Sequence, residues 1–153
     1  MNSSTSRPAD MLAASDIRAG TPLPPWTRRT DSMNWNRYAA VNDEFIDIHM
    51  DDEAARSAGN DQGAFGMGNL RLAYLHNALH AAFGDDAIVT ELECRYRSVN
   101  QKGDVLTVIG VVTDARWTDG DLVVRLDLDI HNAGGASTCP GSAVVVLRER
   151  RHG

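Results

Sequence analysis

The chain is poor in cysteine, and this limits the kinds of site that it can hold. Cys94 and Cys139 are the two cysteines among 153 residues, and they lie far apart without C-x-x-C spacing. A disulfide framework or a zinc knuckle needs more cysteines at closer, regular intervals. We therefore interpret both cysteines as small apolar residues.

The chain also lacks an excess of basic charge. It has 15 Lys and Arg residues against 21 Asp and Glu residues, which gives a formal net charge of -6. A nucleic-acid backbone and an anionic lipid surface are both bound through basic patches. We therefore expect neither nucleic acid nor a membrane to be a partner.

Long hydrophobic runs are absent as well. A segment that spans a bilayer needs roughly 20 apolar residues, and the apolar runs here are much shorter. The N-terminus shows no basic start followed by a hydrophobic stretch, which would indicate a signal peptide. We expect a soluble, cytoplasmic protein, and the length fits one domain.

The chain divides into a short N-terminal arm and one domain. Residues 1–16 are rich in Ser, Ala and Asp without periodicity, which predicts a disordered arm. Residues 17–150 form the predicted domain. Its first segment contains Pro22, Pro24 and Pro25, which favour an irregular edge strand leading to Trp26.

Two short helices are predicted before the middle of the chain. Asp31 or Ser32 can cap the first, which continues to residue 41, because short polar side chains accept hydrogen bonds from free helix N–H groups. The second begins at Asp51, where its negative charge suits the positive end of a helix, and ends at Gly59.

The second half of the chain predicts one long helix and then an antiparallel sheet. Residues 69–83 are apolar around most of the helix circumference, so we expect a helix buried on most sides. Strands with period-two alternation or β-branched runs, separated by hairpin-type turns, are predicted at 88–97, 105–112, 122–131 and a last segment ending near 147. The fold class is α+β, with a curved antiparallel sheet wrapped around a long buried central helix, which is the hotdog arrangement.

The residues with the chemistry for proton transfer lie between these two regions. The segment Glu44-Phe45-Ile46-Asp47-Ile48-His49 contains one imidazole and two carboxylates. Gly66 and Gly68 follow at the start of the long helix, where backbone N–H groups favour negative charge. A histidine titrates near neutral pH. This combination predicts acid-base chemistry beside a carbonyl group.

The same segments carry a resemblance to a known family. They are Arg37-Tyr38-Ala39-Ala40-Val41-Asn42, Glu44 to His49, Ala58-Gly59, Gly66-Met67, and Gly103-Asp104 after Tyr96-Arg97. Over residues 17–148 this pattern resembles the MaoC-like acyl dehydratases, or (R)-specific enoyl-CoA hydratases. The family motif Asp-x-Asn-Pro-Ile/Leu-His reads here with glutamate first, isoleucine third and aspartate fourth.

The resemblance implies both a fold and an activity. The fold is a single MaoC-like hotdog domain. The activity is that of a hydratase/dehydratase (enoyl-CoA hydratase, a lyase), which adds or removes water at the double bond of a trans-2-enoyl thioester. The substrate is an acyl-CoA thioester, and no cofactor is implied. The resemblance also implies a homodimer, or a heterodimer with another hotdog subunit.

The resemblance also implies the roles of individual residues. His49 and Glu44 correspond to the catalytic pair, and Asp47 is the alternative carboxylate. Backbone groups at Gly66, Met67 and Gly68 are expected to bind the thioester oxygen.

Other interpretations of these residues remain open. The chain could be a non-catalytic hotdog subunit of a hetero-oligomeric hydratase, or an acyl-CoA thioesterase of the same fold. Gly66 and Gly68 could serve only turns and packing, and Glu44 and Asp47 could be solvated loop acids or helix caps. His76 and His80 have the i, i+4 spacing of helical metal ligands, but a third ligand is missing, so no metal site is predicted.

Overall fold

An antiparallel sheet of five strands curves around one long helix in the computed structural model, which describes residues 11–148. The strands are β1 (Trp26–Arg29), β2 (Ile88–Cys94), β3 (Val105–Thr118), β4 (Asp121–His131) and β5 (Gly141–Leu147). Their order in the sheet is β1-β3-β4-β5-β2, and every neighbouring pair is antiparallel. The proline-rich segment therefore leads into an edge strand, as the sequence predicts.

The helices are α1 (Ser32–Asn42), α2 (Asp47–Met50), α3 (Asp52–Ser57) and α4 (Gly68–Phe83). The predicted helices correspond to α1, α3 and α4. The sequence did not predict α2, a single helical turn that carries His49. None of the helices in the described part of the chain is long and apolar enough to cross a membrane.

Asp31 begins α1 as the sequence predicts. Its side chain accepts hydrogen bonds from the N–H groups of Met33 at 3.0 Å and Asn34 at 3.2 Å. The side chain of Asn34 accepts in return from the Asp31 N–H at 3.2 Å, which completes a capping box. The cap directs the helix so that Trp35 is fully buried.

The longest hairpin joins β3 to β4 through the predicted turn. Its two central residues, Asp119 and Gly120, have φ values of 52° and 89°. Positive φ at both positions is the requirement of the turn that matches the twist of a hairpin. Along β4, inward apolar residues alternate with outward polar ones, so its alternation is also as predicted.

The long helix α4 packs against the concave face of the sheet. Its buried residues are Leu70, Arg71, Tyr74, Leu75, Ala78, Leu79, Ala82 and Phe83. They form one broad face, because they recur every three to four residues. His76, Asn77 and Ala81 on the opposite face are exposed. The prediction of a helix buried on most sides is therefore confirmed, and one narrower face is exposed.

Part of the predicted N-terminal arm contacts the end of α4. The N–H group of Leu12 donates to the carbonyl of Ala82 at 2.8 Å, and Leu12 packs against the core. Over residues 11–16 the chain is thus held by backbone pairing and apolar contact, which the composition did not reveal. Residues 1–10, and 149–150 at the other end of the predicted domain, lie outside the described residues.

The hydroxyl of Thr30 joins three parts of the fold inside the core. Its oxygen lies 2.8 Å from Trp35 Nε1, 3.4 Å from the Tyr74 hydroxyl and 3.5 Å from Asn100 Nδ2. Thr30 itself is fully buried. These bonds connect the end of β1 with α1, with α4 and with the loop that precedes β3.

Replacing Thr30 with valine tests this connection. The valine has almost the same shape but leaves the buried indole N–H of Trp35 without an acceptor, so we expect a loss of about 1 to 3 kcal/mol in the free energy of unfolding. Urea denaturation measures the loss. Thr27→Val is the matched control, because the Thr27 hydroxyl is exposed and bonds to Thr107. Equal effects of the two substitutions would contradict the role of Thr30.

Candidate active site

A cleft of about 290 Å³ opens at the start of α4. The residues that line it are His49, Phe65, Gly66, Gly68, Arg71, Tyr96, Arg97, Ser98 and Val99. They come from α2, from the loop before α4, from the first turn of α4 and from the segment after β2. The cleft therefore joins the predicted histidine to two of the predicted glycines.

His49 is 9% exposed, and its ring is held by Phe65, which lies in the loop before α4. Its Nδ1 lies 2.8 Å from the carbonyl oxygen of Phe65. A carbonyl oxygen only accepts, so Nδ1 carries the hydrogen, and in the neutral ring Nε2 keeps its lone pair. The Phe65 ring packs edge-on against the imidazole at 5.2 Å between centroids. The imidazole is thus fixed in an orientation that suits a base.

Two polar contacts hold the loop that supplies the Phe65 carbonyl. The Asp52 carboxylate accepts from the Ala64 N–H at 2.9 Å, and this bond, with Lys102 nearby, lowers the pKa of Asp52. The amides of Asn60 and Gln101 exchange hydrogen bonds of 3.0 and 2.9 Å. The orientation of His49 thus depends on contacts between segments distant in sequence.

The two candidate carboxylates have different environments, and neither lines the cleft. Glu44 is half-buried and accepts from Asn69 Nδ2 at 3.3 Å. Asn69 Oδ1 accepts in turn from the hydroxyl of Tyr96 at 3.3 Å, and Tyr96 lines the cleft. Asp47 is exposed in the first turn of α2, and its carboxylate bonds to none of the described residues. Hydrogen bonds thus connect Glu44, but not Asp47, to the edge of the cleft.

The three residues predicted to bind the thioester oxygen lie in different environments. The N–H group of Gly66 already donates to the Asn100 carbonyl at 2.9 Å, so it is not a free donor. Met67 is fully buried and precedes α4 without capping it through its side chain. Gly68 lines the cleft, and its N–H belongs to the first turn of α4, whose donors have no partner within the helix. The available donors are therefore those of the first turn.

Gly66 and Gly68 also have neighbours that leave little room for a side chain. A Cβ on Gly66 would overlap the side-chain amide of Asn100, and a Cβ on Gly68 would lie 2.7 Å from the Tyr96 ring. A Cβ essentially never lies this close to another heavy atom, so one partner would have to shift. Both glycines are thus closely packed against their neighbours and also line the cleft.

Sequence reasoning missed Arg71, the fourth residue of α4. It is 3% exposed and lines the cleft, and its Nη1 donates to the carbonyls of Ser98 and Thr138. Its Cζ lies 5.0 Å from the centre of the Tyr96 ring. Burial lowers the pKa of the Arg71 guanidinium. A lone arginine in an apolar helix was the signal that could have found it.

The cysteines and the histidine pair on α4 give no sign of a second reactive centre. Cys94 and Cys139 are free thiols, and burial raises the pKa of Cys139 to about 12, which makes it unreactive. The rings of His76 and His80 lie 4.6 Å apart. Within the residues that the structure describes, no group of three potential ligands could hold a metal ion.

No family model and no curated protein matches the sequence. Solved structures do match the fold. The (R)-hydratase PhaJ1 of Pseudomonas aeruginosa has a TM-score of 0.77 and 20% identity, over 90% of this chain and 86% of that one. A MaoC-like dehydratase of Rhodospirillum rubrum has a TM-score of 0.75 and 21% identity, over 92% and 99%.

The ChsH1–ChsH2 complex of Mycobacterium tuberculosis is also similar. The TM-score is 0.74 and the identity 19%, over 85% of this chain and 98% of the matched chain. The chain therefore has the hotdog fold, and the resemblance to MaoC-like dehydratases and (R)-hydratases is confirmed at the level of the fold.

Gly66→Ala tests how closely the loop approaches Asn100. The added methyl must displace the buried Asn100 amide, so we expect a loss of about 1 to 3 kcal/mol in the free energy of unfolding. Gly134→Ala is the matched control, because a Cβ there meets its nearest neighbour at an ordinary 3.4 Å. Thermal or urea denaturation compares them. A Gly66→Ala variant as stable as Gly134→Ala would contradict the packing.

Proposed function

We propose that the chain is a hydratase/dehydratase that adds water to, or removes it from, a trans-2-enoyl thioester, with coenzyme A as the thiol. The observation that carries this proposal is His49, a buried imidazole held at Nδ1 by the Phe65 carbonyl at the wall of the cleft. The fold shared with an (R)-hydratase and a MaoC-like dehydratase supports it.

In hydration, one water adds across the double bond. Nε2 of His49 accepts a proton from the water while the water oxygen bonds to C3, and the imidazolium then returns a proton to C2. Negative charge passes through the thioester oxygen, where the free N–H groups of the first turn of α4 stabilise it. No group is oxidised or reduced, and dehydration follows the same steps in reverse.

We assign Glu44 to the second hydrogen bond of the water. Its hydrogen bond to Asn69, and through Asn69 to Tyr96, supports this choice over Asp47. A glutamate extends further than the aspartate of the family motif by one methylene, which is consistent with a carboxylate that starts outside the cleft lining.

His49→Ala should abolish hydration without unfolding the protein. Loss of a positioned acid or base typically lowers the rate ~100-fold to ~10,000-fold. Turnover of trans-2-enoyl-CoA esters and circular dichroism are the measurements. His76→Ala is the control, because His76 is exposed on the opposite face of α4. Near-native turnover of a folded His49→Ala protein would refute the assignment.

Comparing Glu44→Gln with Asp47→Asn identifies the working carboxylate. Both replacements are nearly isosteric, and we expect Glu44→Gln to lose more activity because only Glu44 is connected to Tyr96 and the cleft. The assay uses the same enoyl thioester for both. A larger loss in Asp47→Asn would reverse the assignment.

A second candidate function is a non-catalytic hotdog subunit of a hetero-oligomeric hydratase. The absence of Glu44 and Asp47 from the cleft lining favours it, and the similar ChsH1–ChsH2 structure is itself a complex. The edge strand β2 offers unpaired backbone groups to a partner. We propose a dimer for either function, with an identical chain if the protein hydrates alone.

A further inference from the structure

Arg71 has one side-chain donor that nothing in the described chain satisfies. Its Nη1 donates to the carbonyls of Ser98 and Thr138, but its buried Nε has no hydrogen-bond partner. The Arg71 side chain is almost completely buried, and it borders the cleft beside His49. The guanidinium is therefore a buried polar group beside the cleft with hydrogen-bonding capacity left unused, although its Nε atom is itself closed to solvent.

The positive charge of Arg71 also has no counter-ion within residues 11–148. No carboxylate among the described residues forms an ion pair with it. The groups around it are the thiols of Cys94 and Cys139 and the phenol of Tyr96. Burial raises the pKa of Tyr96 to about 12, so that phenol is neutral. Buried charges in proteins are ordinarily paired, and this one lacks its anion.

We infer, on the basis of the hydratase function proposed above, that Arg71 binds a carboxylate on the acyl group of the substrate thioester. A planar guanidinium matches a carboxylate with two parallel hydrogen bonds, which a neutral acyl chain cannot offer. The preferred substrate is then a short enoyl thioester with a free carboxylate beyond its double bond.

The size of the cleft favours the acyl group over the phosphates of coenzyme A. Ligand pockets usually enclose about 300 to 1,000 Å³, and this cleft of about 290 Å³ is at the small end. The phosphates of coenzyme A lie at the opposite end of the pantetheine arm from the thioester, so a cleft that holds the thioester need not hold them. Arg97, which is exposed in the same cleft, is better placed for them.

Matched substrates test the inference. Fumaryl-CoA and crotonyl-CoA both have four acyl carbons, and only the first has a carboxylate in place of the methyl group. Any contact with the coenzyme A phosphates is common to both and cancels in the ratio of their kcat/KM values. Glutaconyl-CoA and trans-2-pentenoyl-CoA form the corresponding five-carbon pair.

We expect wild-type protein to favour the carboxylated member of at least one pair by about 30-fold or more, the effect of one buried charge pair. Arg71→Met should remove this preference while keeping the apolar stem. Arg71→Lys keeps the charge without the planar fork and should retain part of it. Arg97→Met should lower kcat/KM for both members alike and leave the ratio unchanged.

Three results would overturn the inference. The first is equal use, by wild type, of the two members in each of the two substrate pairs. The others are an equal loss of kcat/KM for both members in Arg71→Met, and a preference that disappears in Arg97→Met but not in Arg71→Met. Equal loss of both members would instead assign Arg71 to the thioester oxygen, and hydration itself would stand in each of these cases.

Binding of saturated analogues separates failure of the inference from failure of the proposed function. Succinyl-CoA and butyryl-CoA cannot be hydrated, and calorimetry compares their affinities for wild type and Arg71→Met. If wild type hydrates nothing but binds succinyl-CoA more tightly, and Arg71→Met loses that difference, the inference stands and the hydratase function fails. Equal affinities of wild type for the two analogues would overturn the inference.

Discussion

The packing of α4 into the concave face of the sheet is the constraint on which the rest of the structure depends. Its apolar face removes the largest side chains of the helix from water, and burial of apolar area is the main favourable term in folding. Once α4 is seated, its first turn has one position relative to β2 and the loops around it. The cleft lies at this first turn, beside the segment that follows β2.

The chemistry of the site depends on contacts made by backbone groups. The imidazole of His49 is oriented by a carbonyl, and the loop that carries this carbonyl is anchored by Asp52 and Asn60. A ring that is already oriented needs little rearrangement at the moment of reaction, which is the benefit of a preorganised site. Glu44, which one hydrogen bond to Asn69 holds outside the cleft lining, is less constrained than His49.

Arg71 shows how a functional demand can oppose stability. An arginine buried without an acid destabilises the folded chain, and an apolar residue of similar volume would often be tolerated better. The carbonyls of Ser98 and Thr138 and the ring of Tyr96 offset part of this cost. A substrate carboxylate would supply the rest, so the same group would stabilise the complex and select the substrate.

The sequence by itself determined the strands and the helices α1, α3 and α4, and it singled out the histidine, but it did not determine the helical turn α2 that carries it. Period-two alternation placed β4, positive-φ turn residues placed the β3–β4 hairpin, and Asp31 marked the start of α1, because each of these signals acts between near neighbours. Tertiary structure alone decided that Arg71 borders the cleft and that Asn100 occupies the Gly66 N–H. Those facts arise from contacts between distant segments, and no local pattern specifies which distant group a buried side chain or backbone donor will meet.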